Sequence, residues 1–82
     1  MSPLLEYWLG RHYTARALGK GDTTQTRDVL MQRLQADQTL AAEAKLELER
    51  IEALAASCGG DLWKRCYVSS IHAEALRHAL AP

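Results

Sequence analysis

Apolar residues between Thr23 and Ser57 recur at alternating steps of four and three: Leu30, Leu34, then a polar interruption at Asp37, then Ala41, Ala44, Leu48, Ile51, Ala55 and, just beyond, Cys58. That is the period of one helical face packed against its neighbours. No proline or glycine interrupts the stretch. At 1.5 Å per residue an unbroken helix of this length would run to roughly 50 Å, more than a domain of 82 residues needs. The pattern therefore predicts either a straight central spine or a bend. A bend would fall at Gln35-Ala36-Asp37-Gln38-Thr39, where polar residues occupy the seam and Asp37 or Thr39 is suited to cap a new helix.

Two shorter helices flank this spine. Pro3 fits the first helical position, where a missing N–H costs nothing, and Ser2 before it can accept from a free amide. The first helix runs from Leu4 to about Leu18, with Leu5, Trp8, Leu9, His12 and Ala15 or Ala17 close to one face. Gly19 is a natural left-handed stop. Asp22 is placed to cap the restart in a variant of the capping box with Gln25, Thr23 and Thr24 being the other candidates. After the spine, Gly59-Gly60 reads as a turn and Asp61 as the cap of a last helix from Leu62 to about Leu80. That helix carries Trp63, Tyr67, Ile71 and Ala75 on one line, and Leu62, Cys66, Ala73, Leu76 and Leu80 on a neighbouring one. The flanking helices, roughly 24 and 28 Å long, fold back along the two halves of the spine and meet near Asp37. The expected fold is all-α, a single domain over residues 1–82, with three helices as two antiparallel hairpins sharing a long central helix. The alternative is a four-helix bundle with a break near residues 35–39.

One apolar residue falls outside the scheme. At 100° per residue Leu46 lies about 160° from Leu48, with Ala42 and Ala53 beside it, so the spine is apolar on two faces. Two short helices cannot easily cover both, which predicts a surface that meets another protein. Tryptophan and tyrosine are favoured interface anchors. The residues expected to bind a partner are accordingly Trp8, Ala42, Leu46, Ala53, Trp63 and Tyr67. By contrast Glu43, Glu47, Glu49 and Glu52 read as a solvated face, with Glu47 and Arg50 close enough to pair.

Charge narrows the partner. Ten basic and ten acidic residues give a net charge of zero, which argues against non-specific nucleic-acid binding and against a polybasic membrane patch. The distribution is uneven: residues 1–35 carry net +2 and residues 36–60 net −3. No stretch approaches the roughly 20 apolar residues of a membrane span, and the N-terminal residues lack the basic and apolar regions of a signal peptide. A cytoplasmic protein, or one exported by a route with no cleaved signal, is expected. A core of this size is modest, so a protein partner or self-association would add stability.

Candidate chemistry is sparse. His72 and His78 are six apart, which is not the three- or four-residue spacing that puts two ligands on one helical face, and His12 lies far from both in the chain. Cys58 and Cys66 alone cannot make a zinc site, and across a hairpin turn they are offset by a full helical turn, which disfavours a disulfide. Ser69 and His72 have no nucleophile elbow or orienting acid. Gly19-Lys20-Gly21-Asp22 lacks the spacing of a phosphate loop. No metal, cofactor, small-molecule substrate or enzymatic activity is expected.

The leading expectation is a small non-enzymatic protein-binding module, an adaptor, secretion-type chaperone or inhibitor, acting through a helical interface. The alternative is a DNA-binding transcriptional regulator. Ala15, Leu18 and Gly19, a turn, and Thr24-Gln25-Thr26-Arg27 resemble a helix-turn-helix over residues 15–33.

Overall fold

The computed structural model describes residues 2–57 and 67–81. They form four α-helices: α1 (Pro3–Leu18), α2 (Thr23–Ala36), α3 (Gln38–Ser57) and α4 (Tyr67–Leu80). No strand occurs among the described residues. The expected turn at Gly59-Gly60, the cap at Asp61 and the first residues of the last helix lie outside them.

The first hairpin follows the local chemistry of its ends. Ser2 Oγ accepts from the Leu5 amide at 3.3 Å, with Pro3 in the first turn. Gly19 stops α1 at φ 66°, a conformation that a Cβ would penalise. Asp22 then accepts from the amides of Thr24 (2.9 Å) and Gln25 (3.2 Å), which settles the start of α2.

The straight three-helix spine is not what forms. The chain breaks at Asp37, which takes extended dihedrals (φ −136°, ψ 104°) and whose Oδ1 accepts from the amides of Thr39 at 3.0 Å and Leu40 at 3.1 Å. Those amides begin a helix and would otherwise lack partners. The longest dimension of the molecule is 34 Å, so a roughly 50 Å rod gives way to two helices that close on themselves. The four-helix alternative, with its break at residues 35–39, describes the observed path.

The bend also resets the phase of the seam. In α3 the inward residues are Leu40, Ala44, Glu47 and Ile51, while Ala41, Leu48 and Ala55 move to the edge of the core, half-buried against it. The remaining apolar core comes from Leu5, Leu9 and Ala15 of α1, Leu30 and Leu34 of α2, and Ile71, Ala73, Ala75, Leu76 and Ala79 of α4. Each fully buried leucine or isoleucine contributes about 1.5–3 kcal/mol of transfer free energy.

Each helix packs on the other three, and the most extensive contacts are those of α4 with α2 and α3. The alanines of α4 at 73, 75 and 79 permit close approach on more than one side. Rim pairs join it to the first hairpin, Arg16 Nε to Glu74 Oε1 at 3.7 Å and His78 Nε2 to Asp28 Oδ1 at 3.9 Å. Both pairs are substantially exposed and add little to stability.

Candidate protein-interaction surface

The open face of α3 lies opposite its inward residues. With Leu40, Ala44, Glu47 and Ile51 turned inward, residues on the opposite side of the helix must face outward. Ala42, Leu46 and Ala53 do so, all three exposed. Leu46 leaves 66% of its surface open, the most exposed large apolar side chain among the described residues. Beside it runs an open groove of about 310 Å³ lined by Ser2, Glu43, Leu46, Glu47 and Arg50.

One wall of that groove departs from expectation. Glu47 belongs to the inner side of α3 and is buried to 8% exposure, not part of a solvated acidic face. A buried carboxylate needs a partner, and Arg50 supplies it one turn later. Its Nε donates to both carboxylate oxygens, at 3.2 and 3.1 Å, and its Nη2 donates to Oε1. The hydrogen bonding from Arg50 holds the Glu47 carboxyl below its ordinary range against the opposing effect of burial. In turn the pair fixes the Arg50 guanidinium, itself largely exposed, at the groove edge. One turn before Glu47 on the same helix, the buried Oε2 of Glu43 has no hydrogen-bond partner. His72 of α4 lies close enough to sense Glu47 and Arg50, and its pKa is lowered, chiefly by burial.

Trp8 is not part of this surface. It sits half-buried between α1 and α2, lining a notch of about 170 Å³ with Arg11, Gln25, Thr26 and Val29. Tyr7 meets it edge-on with ring centroids 4.9 Å apart. The guanidinium carbon of Arg33 lies 5.1 Å from the Trp8 ring and that of Arg11 6.0 Å, with Arg11 Nη1 also donating to the Tyr7 hydroxyl at 3.1 Å. A second open cleft of about 530 Å³ continues from Arg11 past Gly10, Thr14, Lys20 and Asp22. The six sequence candidates thus separate. Ala42, Leu46 and Ala53 share the face of α3, whereas Trp8 belongs to the α1–α2 cleft. Trp63 lies outside the described residues, and Tyr67 begins α4 with its side chain outside them.

The stacking of Arg33 on Trp8 was absent from the sequence expectations, although a signal existed. Both residues lie ten positions from the hairpin turn, Trp8 before Leu18 and Arg33 after Thr23, and antiparallel helices bring such equidistant residues side by side. Among the described residues no three His, Cys, Asp or Glu side chains gather as a metal site would require. No described helix is long and apolar enough to cross a membrane. No protein-family model, curated protein or solved structure matched the chain.

Proposed function

We propose that the chain is a small non-enzymatic protein-binding module, of the adaptor, secretion-type chaperone or inhibitor kind, that meets its partner on the outward face of α3. The observation that carries this reading is the exposure of Leu46, 66% open at the middle of a twenty-residue helix and next to a groove. A single exposed leucine is ordinary on a protein surface. Here it has an adjoining groove and two exposed alanines along the same face, which together offer a shaped apolar strip with a polar margin.

A photo-reactive amino acid in place of Leu46, in cells that express the chain natively, tests the reading. One discrete adduct of higher mass is expected, absent when the same residue replaces Gln32 on the exposed side of α2. No adduct, or the same set of adducts from both positions, would remove the basis for the proposal.

One observation favours a second reading, the DNA-binding regulator. With the break at Asp37, α2 is 14 residues long instead of several turns too long for a recognition helix, and Thr24 and Gln25 are exposed at its start. Against it, the carboxylates of Glu6 and Asp22 line the cleft beside that helix start, where phosphates would approach. No sequence-specific duplex binding is expected near physiological salt. Binding whose salt slope falls by about one unit on Arg33→Ala would exchange the two readings.

A further inference from the structure

We infer that the outward face of α3 is a self-pairing seam, on which a second copy of the chain lays its own α3 antiparallel. The inference rests on reading this face as protein-facing and goes further by naming its occupant.

The spacing comes first. Thr39, Ala42, Leu46, Glu49, Ala53 and Ala56 are all exposed and recur at steps of three, four, three, four and three. This is the seven-residue repeat by which two helices interlock side chains along a common seam. Small residues at four of the six positions let the backbones come close. Leu46 supplies the projecting side chain at the centre.

Charge then selects the orientation. Lys45 and Glu52 flank the seam on one side, and Glu43 and Arg50 flank it on the other. An antiparallel pair centred between Leu46 and Glu49 sets Lys45 opposite the partner's Glu52 and Glu43 opposite the partner's Arg50. Two-fold symmetry makes each attraction occur twice. A parallel pair in register would oppose Lys45 to the partner's Arg50 and stack Glu49 on its own copy at the seam. The antiparallel pair instead places Glu49 against the partner's Leu46, its stem covering apolar surface while its carboxylate extends toward the partner's Lys45.

One detail of the fold prepares the flank. Glu47 holds the Arg50 guanidinium in place through bidentate hydrogen bonds, at the edge of the groove that Glu43 also lines. The contact is one helix wide, at the small end of specific interfaces. It suits a dimer that dissociates on dilution and weakens with salt.

Sedimentation velocity of the whole chain at low salt, from micromolar to millimolar concentration, tests the seam. A concentration-dependent monomer–dimer equilibrium is expected. Lys45→Glu alone and Glu52→Lys alone should each weaken it by about tenfold, since symmetry doubles every repulsion introduced. The double variant Lys45→Glu/Glu52→Lys should return to within about threefold of the wild type, as expected for a directly coupled pair. Circular dichroism on each variant checks that the helices are intact. A wild-type chain that stays monomeric to millimolar concentration overturns the inference, as does a dimer indifferent to the single changes or not restored by the double change. In each case an adduct of different mass from position 46 would still uphold a separate protein partner, so the two failures are distinguishable.

Discussion

His12 and Thr26 fasten α1 to α2: Nδ1 of the buried imidazole lies 2.9 Å from the threonine Oγ1. The threonine hydroxyl has one proton, and it is spent on the Thr23 carbonyl at 3.0 Å. The oxygen must therefore accept, which assigns the histidine proton to Nδ1. Nε2 is left as a bare, buried acceptor with no hydrogen-bond partner. A second proton there would be an unpaired donor in the core.

The consequence is a pH dependence with a definite sign. Burial lowers the His12 pKa, opposed by the charge of Glu74 and reinforced by Arg27, Arg16 and His72. His72 is lowered too, first by burial, with Glu47 opposing and Arg50 reinforcing. In the unfolded chain both rings take a proton near pH 6.5. As pH falls through that value, the unfolded chain binds protons that the folded one resists, so stability declines; above it both states are neutral and the effect vanishes. Urea midpoints measured between about pH 7.5 and pH 5 should fall with acidity, by at most about 1.4 kcal/mol per pH unit for each ring. His12→Leu should remove its share of that dependence and leave that of His72, and the Thr26 hydroxyl retains its bond to Thr23. An unchanged slope would show that His12 does not contribute to it.

The cap at Asp37 makes a sharper stability prediction. Its carboxylate serves two amides at the start of α3, so Asp37→Ala should cost about 1 kcal/mol. Asp37→Asn keeps an accepting oxygen and should cost only a few tenths. Equal losses from the two variants would mean that the break is maintained by packing alone.

That residue also marks where the sequence was readable and where it was not. The ends of α1 and the start of α2 rest on side chains within three residues of the helix terminus, and Ser2, Gly19 and Asp22 act as their local chemistry dictates. The break at Asp37 was visible only as an alternative, because the steps of four and three continue through it once Asp37 is counted as a polar member of the seam. A cap and a polar notch look alike in one dimension. Once the chain bends, the inward face turns by about half a residue, bringing in Leu40 and Glu47 and moving Ala41 and Leu48 to the margin, while Ala44 and Ile51 stay inside. Leu46 was legible as an outward residue because it lies about 160° from Leu48, and so small a rotation does not bring it inside. The extensive packing of α4 on α2 and α3 was hidden for another reason: its buried alanines gain their value from close approach, which the sequence does not display.

The stack of Arg33 on Trp8 offers a test of the first hairpin. At 5.1 Å from the ring, a partly exposed guanidinium is worth about 0.5–1 kcal/mol. A double-mutant cycle on Arg33→Ala and Trp8→Leu should return a coupling of that size. Because salt screens an exposed ion pair more than it affects a packed stack, most of the coupling should survive in high salt. A coupling near zero would reduce the contact to mere proximity.

Placing one charge at three depths along α3 tests the phase set by the bend. Leu46→Glu changes an open position and should alter monomer stability by no more than about 0.5 kcal/mol. Leu48 is half-buried at the core margin, where a glutamate can turn its carboxylate toward water; Leu48→Glu should weaken the fold measurably without abolishing it. Ile51 is 1% exposed. A carboxylate there has neither water nor a counter-charge, and Ile51→Glu should unfold a domain whose whole stability is only a few kcal/mol. An unbroken spine predicts a different order, since Leu48 and Ile51 would then share one seam and fail alike. Urea midpoints taken at concentrations where the chain is monomeric decide between them: a graded series from Leu46 through Leu48 to Ile51 fits the bent helix pair, and equal collapse at Leu48 and Ile51 fits the straight one.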